Sequence, residues 1–181
     1  MKKKFIITGI PLAGKSTLAQ RIANKYKIAH IALDPIIYSF EQVFPKLGIS
    51  HMGGENEKWF KKIITNFKKF FYTYIEALEY ENSGYVIEWF HIPLNEVAKK
   101  YKETHTIIVV WYPDISQEKK YKETRKHDKE NRTNEEDDGT LKKLIAKFIE
   151  KSKKLQIYCK KNKITFVDTS KDFEKIIKQY S

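Results

Sequence analysis

Among the 181 residues there is one cysteine, Cys159, which excludes an internal disulfide and suits a reducing, cytoplasmic setting. Long apolar runs are missing as well. None approaches the ~20 residues that a bilayer crossing requires, so no membrane span is expected. Lys2-Lys3-Lys4 resembles the basic start of a secretory leader, but only Phe5-Ile6-Ile7 follows before Thr8-Gly9, with no small-residue cleavage pattern. A strand emerging from a basic terminus is the better expectation. No internal repeat and no linker divides the chain, so residues 1–181 are read as one domain. Arginine is scarce: Arg21, Arg125 and Arg132 stand against 32 lysines.

What is present suits a packed domain with a basic surface. A hydrophobic content of 41 % with 14 % aromatic residues can fill a core. The formal charge of +12 is unevenly placed. Residues 1–50 hold 8 basic and 2 acidic side chains and residues 151–181 hold 9 and 3, while the middle is neutral. Such an excess attracts polyanions, although lysines alternating with apolar residues at helical spacing also give ordinary solvated helix faces.

Strands alternate with helices along the chain, which predicts a parallel sheet covered on both faces. Strands are expected at Lys4–Thr8, Ile28–Leu33 (closed by Asp34-Pro35), Tyr85–Glu88, Thr106–Tyr112 and Ile164–Val167. Helices are expected from Lys15 to about Lys25, Trp59 to Leu78, Leu94 to Tyr101 and Ser116 to about Lys129. Two more carry the apolar series Leu141 to Cys159 and Phe173 to Tyr180. The aromatic stripe of the 59–78 helix reads as core. The polar run Asn131 to Gly139 can bury nothing and is expected to be a mobile surface segment.

Chemistry enters with Gly9-Ile10-Pro11-Leu12-Ala13-Gly14-Lys15-Ser16, which satisfies G-x-x-x-x-G-K-[ST]. A glycine-tolerant loop lets backbone amides converge on phosphates, and the helix behind it adds its positive end. Lys15 is expected on the β- and γ-phosphates of ATP, Ser16 on Mg²⁺, and Thr17 on a further phosphate oxygen. The motif follows an expected strand and opens an expected helix, which is the context it requires. An Asn/Thr-Lys-x-Asp segment for guanine is missing, which speaks against a GTPase.

Asp34, 18 positions after Ser16, falls on the same sheet edge as the loop, where a carboxylate could take the proton of an acceptor hydroxyl. It could equally be an Asp-Pro turn. Glu88 ends the third strand and is expected to hold Mg²⁺ through water or to touch the acceptor. His91, on the following loop, is a candidate acceptor contact. Arg125 and Arg132 fall together beside the polar run, as a lid over a transferring phosphoryl group would place them. Glu123, Asp128 and Glu130 could instead pair with them. The lid region is expected at about 115–139.

These parts, in this order, resemble the P-loop small-molecule kinases: shikimate kinase, gluconate kinase and chloramphenicol phosphotransferase. The resemblance rests on Gly9–Thr17, Asp34, Val86-Ile87-Glu88, Arg125 with Arg132, and the Val167-Asp168-Thr169 turn. It implies a three-layer α/β fold with a five-stranded parallel sheet in the order 2-3-1-4-5 and a helical lid. It also implies adenine near Asp168, Thr169 and Ser170. The Asp-x-Asp pair of shikimate and gluconate kinases is replaced by Ala32-Leu33-Asp34, closer to the single aspartate of the phosphotransferase. The Asp-Gly-x-Pro-Arg segment of adenylate kinase is replaced by Glu88-Trp89-Phe90-His91-Ile92-Pro93. The expected activity is transfer of the γ-phosphate of Mg-ATP to a hydroxyl of a small molecule, nucleoside or nucleotide. The rivals are a kinase of nucleic-acid 5′ ends and a regulatory ATPase without an acceptor.

Overall fold

The computed structural model describes residues 2–49, 57–127 and 136–180, with the backbone alone for 57–64 and 180. Five strands, β1 (Lys4–Gly9), β2 (Ala29–Ala32), β3 (Tyr85–Glu88), β4 (Thr106–Trp111) and β5 (Thr165–Asp168), form one sheet in the order β2-β3-β1-β4-β5. All four pairings are parallel. Seven α-helices connect and cover the described strands: α1 (Lys15–Tyr26), α2 (Leu33–Val43), α3 (Glu57–Tyr80), α4 (Leu94–Tyr101), α5 (Gln117–Lys126), α6 (Asp138–Asn162) and α7 (Phe173–Tyr180). Right-handed crossovers put α1 and α7 on one face and α3, α4 and α6 on the other. The central strands read as unbroken apolar runs because both their faces are covered: Ile6, Ile7, Val86, Ile87, Val109 and Val110 are fully buried.

Register decides where chemistry can gather. Ile7 and Ala32 both lie opposite Glu88, and Gly9 lies opposite Val110. The carboxyl ends of β1, β2, β3 and β4 therefore finish along one edge. The loop after β1, Glu88 and the start of α2 share that edge, where ligands bind in sheets of this kind.

Several boundaries differ from the sequence expectation, each for a local reason. β2 is shorter, and Asp34-Pro35 does not form a turn. Leu33 opens α2, with Leu33 and Ile37 buried one turn apart and Pro35 inside the first turn, where its missing N–H costs nothing. Ile164 lies before β5, because its amide caps α6 by donating to the Cys159 carbonyl (3.0 Å) behind left-handed Lys163. Tyr112 falls just beyond β4. α5 ends at Lys126 rather than near Lys129, and Ser116 caps it by accepting from the Lys119 amide (3.2 Å). The polar run is not wholly loop: Asp137 accepts from the Thr140 amide at 2.9 Å, and Asp138 and Gly139 form the first turn of α6. Residues 131–135 of that run lie outside the described residues.

Gly9 sits where β1 gives way to the loop, at φ 134°, and a Cβ there would lie 1.9 Å from the Val110 carbonyl oxygen. Neither the backbone angle nor the neighbouring strand can yield. Gly9→Ala should therefore destabilise the protein by ~4 kcal/mol or more, read as loss of soluble protein or of a cooperative urea transition.

Candidate functional site

Each carbonyl of the loop from Ile10 to Gly14 lies within hydrogen-bond distance of a donor. Ile10 O accepts from Lys15 Nζ (3.1 Å), Pro11 O from the Tyr112 hydroxyl (2.9 Å) and Leu12 O from Lys120 Nζ (2.8 Å). Ala13 O accepts from the Thr169 hydroxyl (3.3 Å) and Gly14 O from the Leu18 amide (3.0 Å). Leu12 and Gly14 adopt positive φ, 62° and 90°, which bends the chain into a bowl. With the carbonyls committed, the amides are left for a ligand. Gly14 provides no side-chain cap, so the first amides of α1, which have no intrahelical acceptor, add to the same concavity. Phe173 packs beneath Gly14 so closely that a Cβ there would stand 2.2 Å from its ring.

Three side chains complete the bowl. Lys15 is buried, and burial lowers its pKa despite the opposing pull of Glu88 and Asp34, with Lys151 lowering it further. Ser16 donates to Glu88 Oε1 at 2.8 Å. Burial alone would raise the Glu88 carboxyl, but His30, Ser16 and the Lys15 ammonium outweigh it and hold Glu88 below its ordinary value. His30 Nε2 lies 3.8 Å from Glu88 Oε1, and its Nδ1 is 3.2 Å from Gln20 Oε1. Asp34 is exposed in the first turn of α2, and its charge is felt at Lys15.

No group of three or more His, Cys, Asp or Glu among the described residues could hold a metal unaided. The paired oxygens of Ser16 and Glu88 nevertheless fit Mg²⁺. That ion takes hard oxygen ligands, often one or two from protein and the rest from phosphates and water.

Beside the bowl opens a cavity of about 290 Å³, lined by the strand end Thr8-Gly9, the loop and helix start 90–96, Lys68 on α3 and Lys151 on α6. His91 lies in this wall. Burial, with Lys151 and Lys15 nearby, pushes its pKa down to about 4, so the imidazole is neutral at physiological pH.

The expected residues thus divide. Gly9, Pro11–Thr17 and Glu88 come together at the bowl, with Asp34 near enough to be felt there, and His91 lines the adjoining cavity. Of Asp168, Thr169 and Ser170, Thr169 meets the loop at Ala13 O, and the other two shape the turn that carries it. The single Thr169 hydroxyl proton is shared between Ala13 O and Trp111 O (2.9 Å), the latter also accepting from the Thr169 amide (2.8 Å), while Ser170 Oγ accepts from the Asp114 amide (2.9 Å) and Asp168 Oδ1 accepts from the Ser170 amide (2.9 Å). Arg125 donates to Asp138 Oδ1 and to the Glu136 carbonyl, both 2.7 Å, and so ties α5 to the start of α6. Arg132 lies outside the described residues. Sequence reasoning missed Tyr112, Lys120, His30 and Lys151. Lys120 left a trace, sitting one turn before buried Thr124 on the inward face of α5. Lys151 left another, falling between Phe148 and Leu155 in the core-facing series of α6. Nothing in the sequence pointed to Tyr112 as a brace or to His30 beside Glu88.

No family model and no curated protein matches the sequence. Solved structures do. Shikimate kinase from Bacteroides thetaiotaomicron superposes with a TM-score of 0.56 at 15 % identity, over 98 % of this chain and 95 % of that one. A gluconokinase from Sinorhizobium meliloti 1021 gives 0.56 at 13 % identity, over 98 % and 89 %. At such identity the likeness establishes the fold, and it is the expected one.

Burying the Lys15 ammonium costs stability that Glu88, Asp34 and the Ile10 carbonyl offset only in part, and a bound anion would offset more. Lys15→Met should leave the melting temperature of the ligand-free protein unchanged or higher. Mg-ADP should raise the melting temperature of the parent protein and not that of the variant, both read by differential scanning fluorimetry.

Proposed function

We propose that this protein is a kinase that transfers the γ-phosphate of ATP to a hydroxyl of a small-molecule acceptor. The observation that carries the reading is the meeting of an amide-lined bowl, holding Lys15, Ser16 and Glu88, with a separate cavity at its mouth. One compartment suits a polyphosphate and the other a second substrate. A nucleotide switch would need only the first.

In this reading the amides of residues 12–17 and the Lys15 ammonium grip the phosphates and stabilise the charge that spreads over the oxygens in flight. Ser16 and Glu88 would hold Mg²⁺, which supplies further charge neutralisation when bound. Asp34 orients the acceptor hydroxyl and accepts its proton. Neutral His91 offers the acceptor a hydrogen bond without adding charge. Lys120, already at the loop through Leu12 O, is the cation of α5 best placed beside the phosphates. Arg125 would have to exchange its bonds to Asp138 and Glu136 before it could close over them, and Arg132 is proposed to join it in a lid. The three-residue turn 168–170 would border the adenine.

The small acceptor is preferred to a nucleic-acid end because much of the basic surplus lies elsewhere. Lys2 and Lys3 precede β1, whose opposite end carries the loop, ~17 Å away along the strand. Lys160, Lys161 and Lys163 sit at the C-terminal end of α6, a helix that runs back from the site edge.

Two outcomes follow. Asp34→Asn should preserve Mg-ADP affinity while lowering acceptor-dependent ADP release by roughly 100-fold or more, measured by a coupled assay on an acceptor identified by thermal-shift screening. Unchanged turnover would remove Asp34 from the base role. Oligonucleotide binding should be weak at physiological ionic strength. A steep decline of tight oligonucleotide affinity with salt would instead favour the nucleic-acid reading.

A further inference from the structure

Leading away from the bowl, a polar seam runs between α1 and the sheet. Ser16, Gln20 and Asn24 stand one turn apart on α1 and form a row along the helix. Across β2 and β3, His30 pairs with Val86 and Ala32 with Glu88, so His30 and Glu88 lie diagonally on one face of the sheet. The two rows meet. Ser16 donates to Glu88 Oε1 (2.8 Å), Gln20 Oε1 stands 3.2 Å from His30 Nδ1, and Gln20 Nε2 donates to Asn24 Oδ1 (3.0 Å).

One link of this seam is open. His30 Nε2 is buried and has no hydrogen-bond partner among the described residues. Glu88 Oε1 lies 3.8 Å from it, just beyond hydrogen-bond reach. The other ring nitrogen is held at Gln20, so the imidazole cannot swing elsewhere without giving up that contact. A buried polar atom without a partner is uncommon in folded proteins and calls for a functional account.

We infer that His30 is a positioning residue: with nucleotide and Mg²⁺ in the bowl, its Nε2–H donates to Glu88 Oε1 and fixes the orientation of that carboxylate at the ion. This rests on the nucleotide-binding part of the kinase reading and adds to it a residue that touches neither substrate. A carboxylate only accepts, so the contact needs the proton on Nε2. Gln20 permits it, because an amide offers an acceptor at one end and a donor at the other. Turned over together with the Asn24 amide, it holds Nδ1 in either tautomer. Ser16 is compatible with the same arrangement, since a hydroxyl that donates its proton to Glu88 keeps its lone pairs for a cation. Glu88 then has one donor from α1 and one from β2, which together leave it a single orientation. Outer partners of this kind commonly hold the carboxylates of metal sites.

Calorimetric titration of ADP into the intact protein, once with excess Mg²⁺ and once with EDTA, separates this role from a structural one. If the parent bound ADP in neither buffer, the nucleotide reading itself would be refuted, whatever His30 does. The parent should bind ADP more tightly with Mg²⁺ than with EDTA. His30→Phe keeps the bulk of the ring and loses both nitrogens. It should weaken Mg-ADP binding about tenfold, the scale for losing an outer partner of a metal site, and leave binding in EDTA close to that of the parent. His30→Gln, whose amide N–H can stand in for Nε2–H, should recover most of the loss. The inference is overturned if His30→Phe binds Mg-ADP as the parent does, if it loses as much in EDTA as in Mg²⁺, or if the parent gains nothing from Mg²⁺. Melting temperatures check that each variant folds. Should His30→Phe not fold, Gln20→Leu takes its place, with a smaller loss expected in Mg²⁺ alone, and its failure to show one counts equally.

Discussion

Everything at the working edge of this molecule depends on the hydrogen-bond donors that meet five consecutive carbonyls. A peptide loop cannot present its amides to an anion while its carbonyl oxygens point the same way, because their lone pairs would repel the ligand. Here the surrounding fold supplies a donor for each oxygen, drawn from β4's end (Tyr112), α5 (Lys120), the turn after β5 (Thr169) and the loop's own helix (Lys15, Leu18). The bowl is thus preorganised before any nucleotide arrives, and binding need not pay to reorient it. The arrangement carries a stability penalty, since Lys15 and Lys120 both sit where burial depresses their pKa. That is the usual tension between a rigid, charged site and a stable interior.

Much of this was legible in the sequence because the requirements are local. Gly9 and Gly14 are fixed by backbone geometry and close contacts, Lys15 and Ser16 by their spacing from them, and the parallel sheet by the alternation of apolar runs with helical ones, whereas the strand order was implied by the resemblance to P-loop kinases. Glu88 was legible because it ends a wholly buried strand, and register alone then carries it to the loop. The start of α2 was misread because Asp-Pro is a turn signal in isolation, whereas Leu33 and Ile37 bury one turn apart and continue the chain as helix. Arg125 was read by residue type, but its actual partner, Asp138, lies thirteen residues away across a segment whose course no local pattern dictates.

The residues that sequence reading could not supply are those acting across long separations. Tyr112 reaches Pro11 and Lys120 reaches Leu12 over about a hundred residues of chain. Their types, a tyrosine after a strand and a lysine on a charged helix, are also unremarkable. With three arginines in the chain, lysine supplies most of the cationic chemistry. A flexible ammonium answers a single oxygen rather than the paired oxygens that a guanidinium fork would grasp. Lys120 on a carbonyl and Lys151 on an aromatic face show two such single-point uses.

The placement of Phe173 beneath Gly14, with Thr169 on Ala13, bears on how the molecule is made. Both supports are synthesised some 150 residues after the loop they hold, so a nascent chain emerging from the ribosome has its glycine loop long before it has the means to shape it. Contacts of such separation form late and slowly. Phosphate affinity should therefore switch on abruptly, when β5 and α7 dock, rather than grow gradually as the chain lengthens.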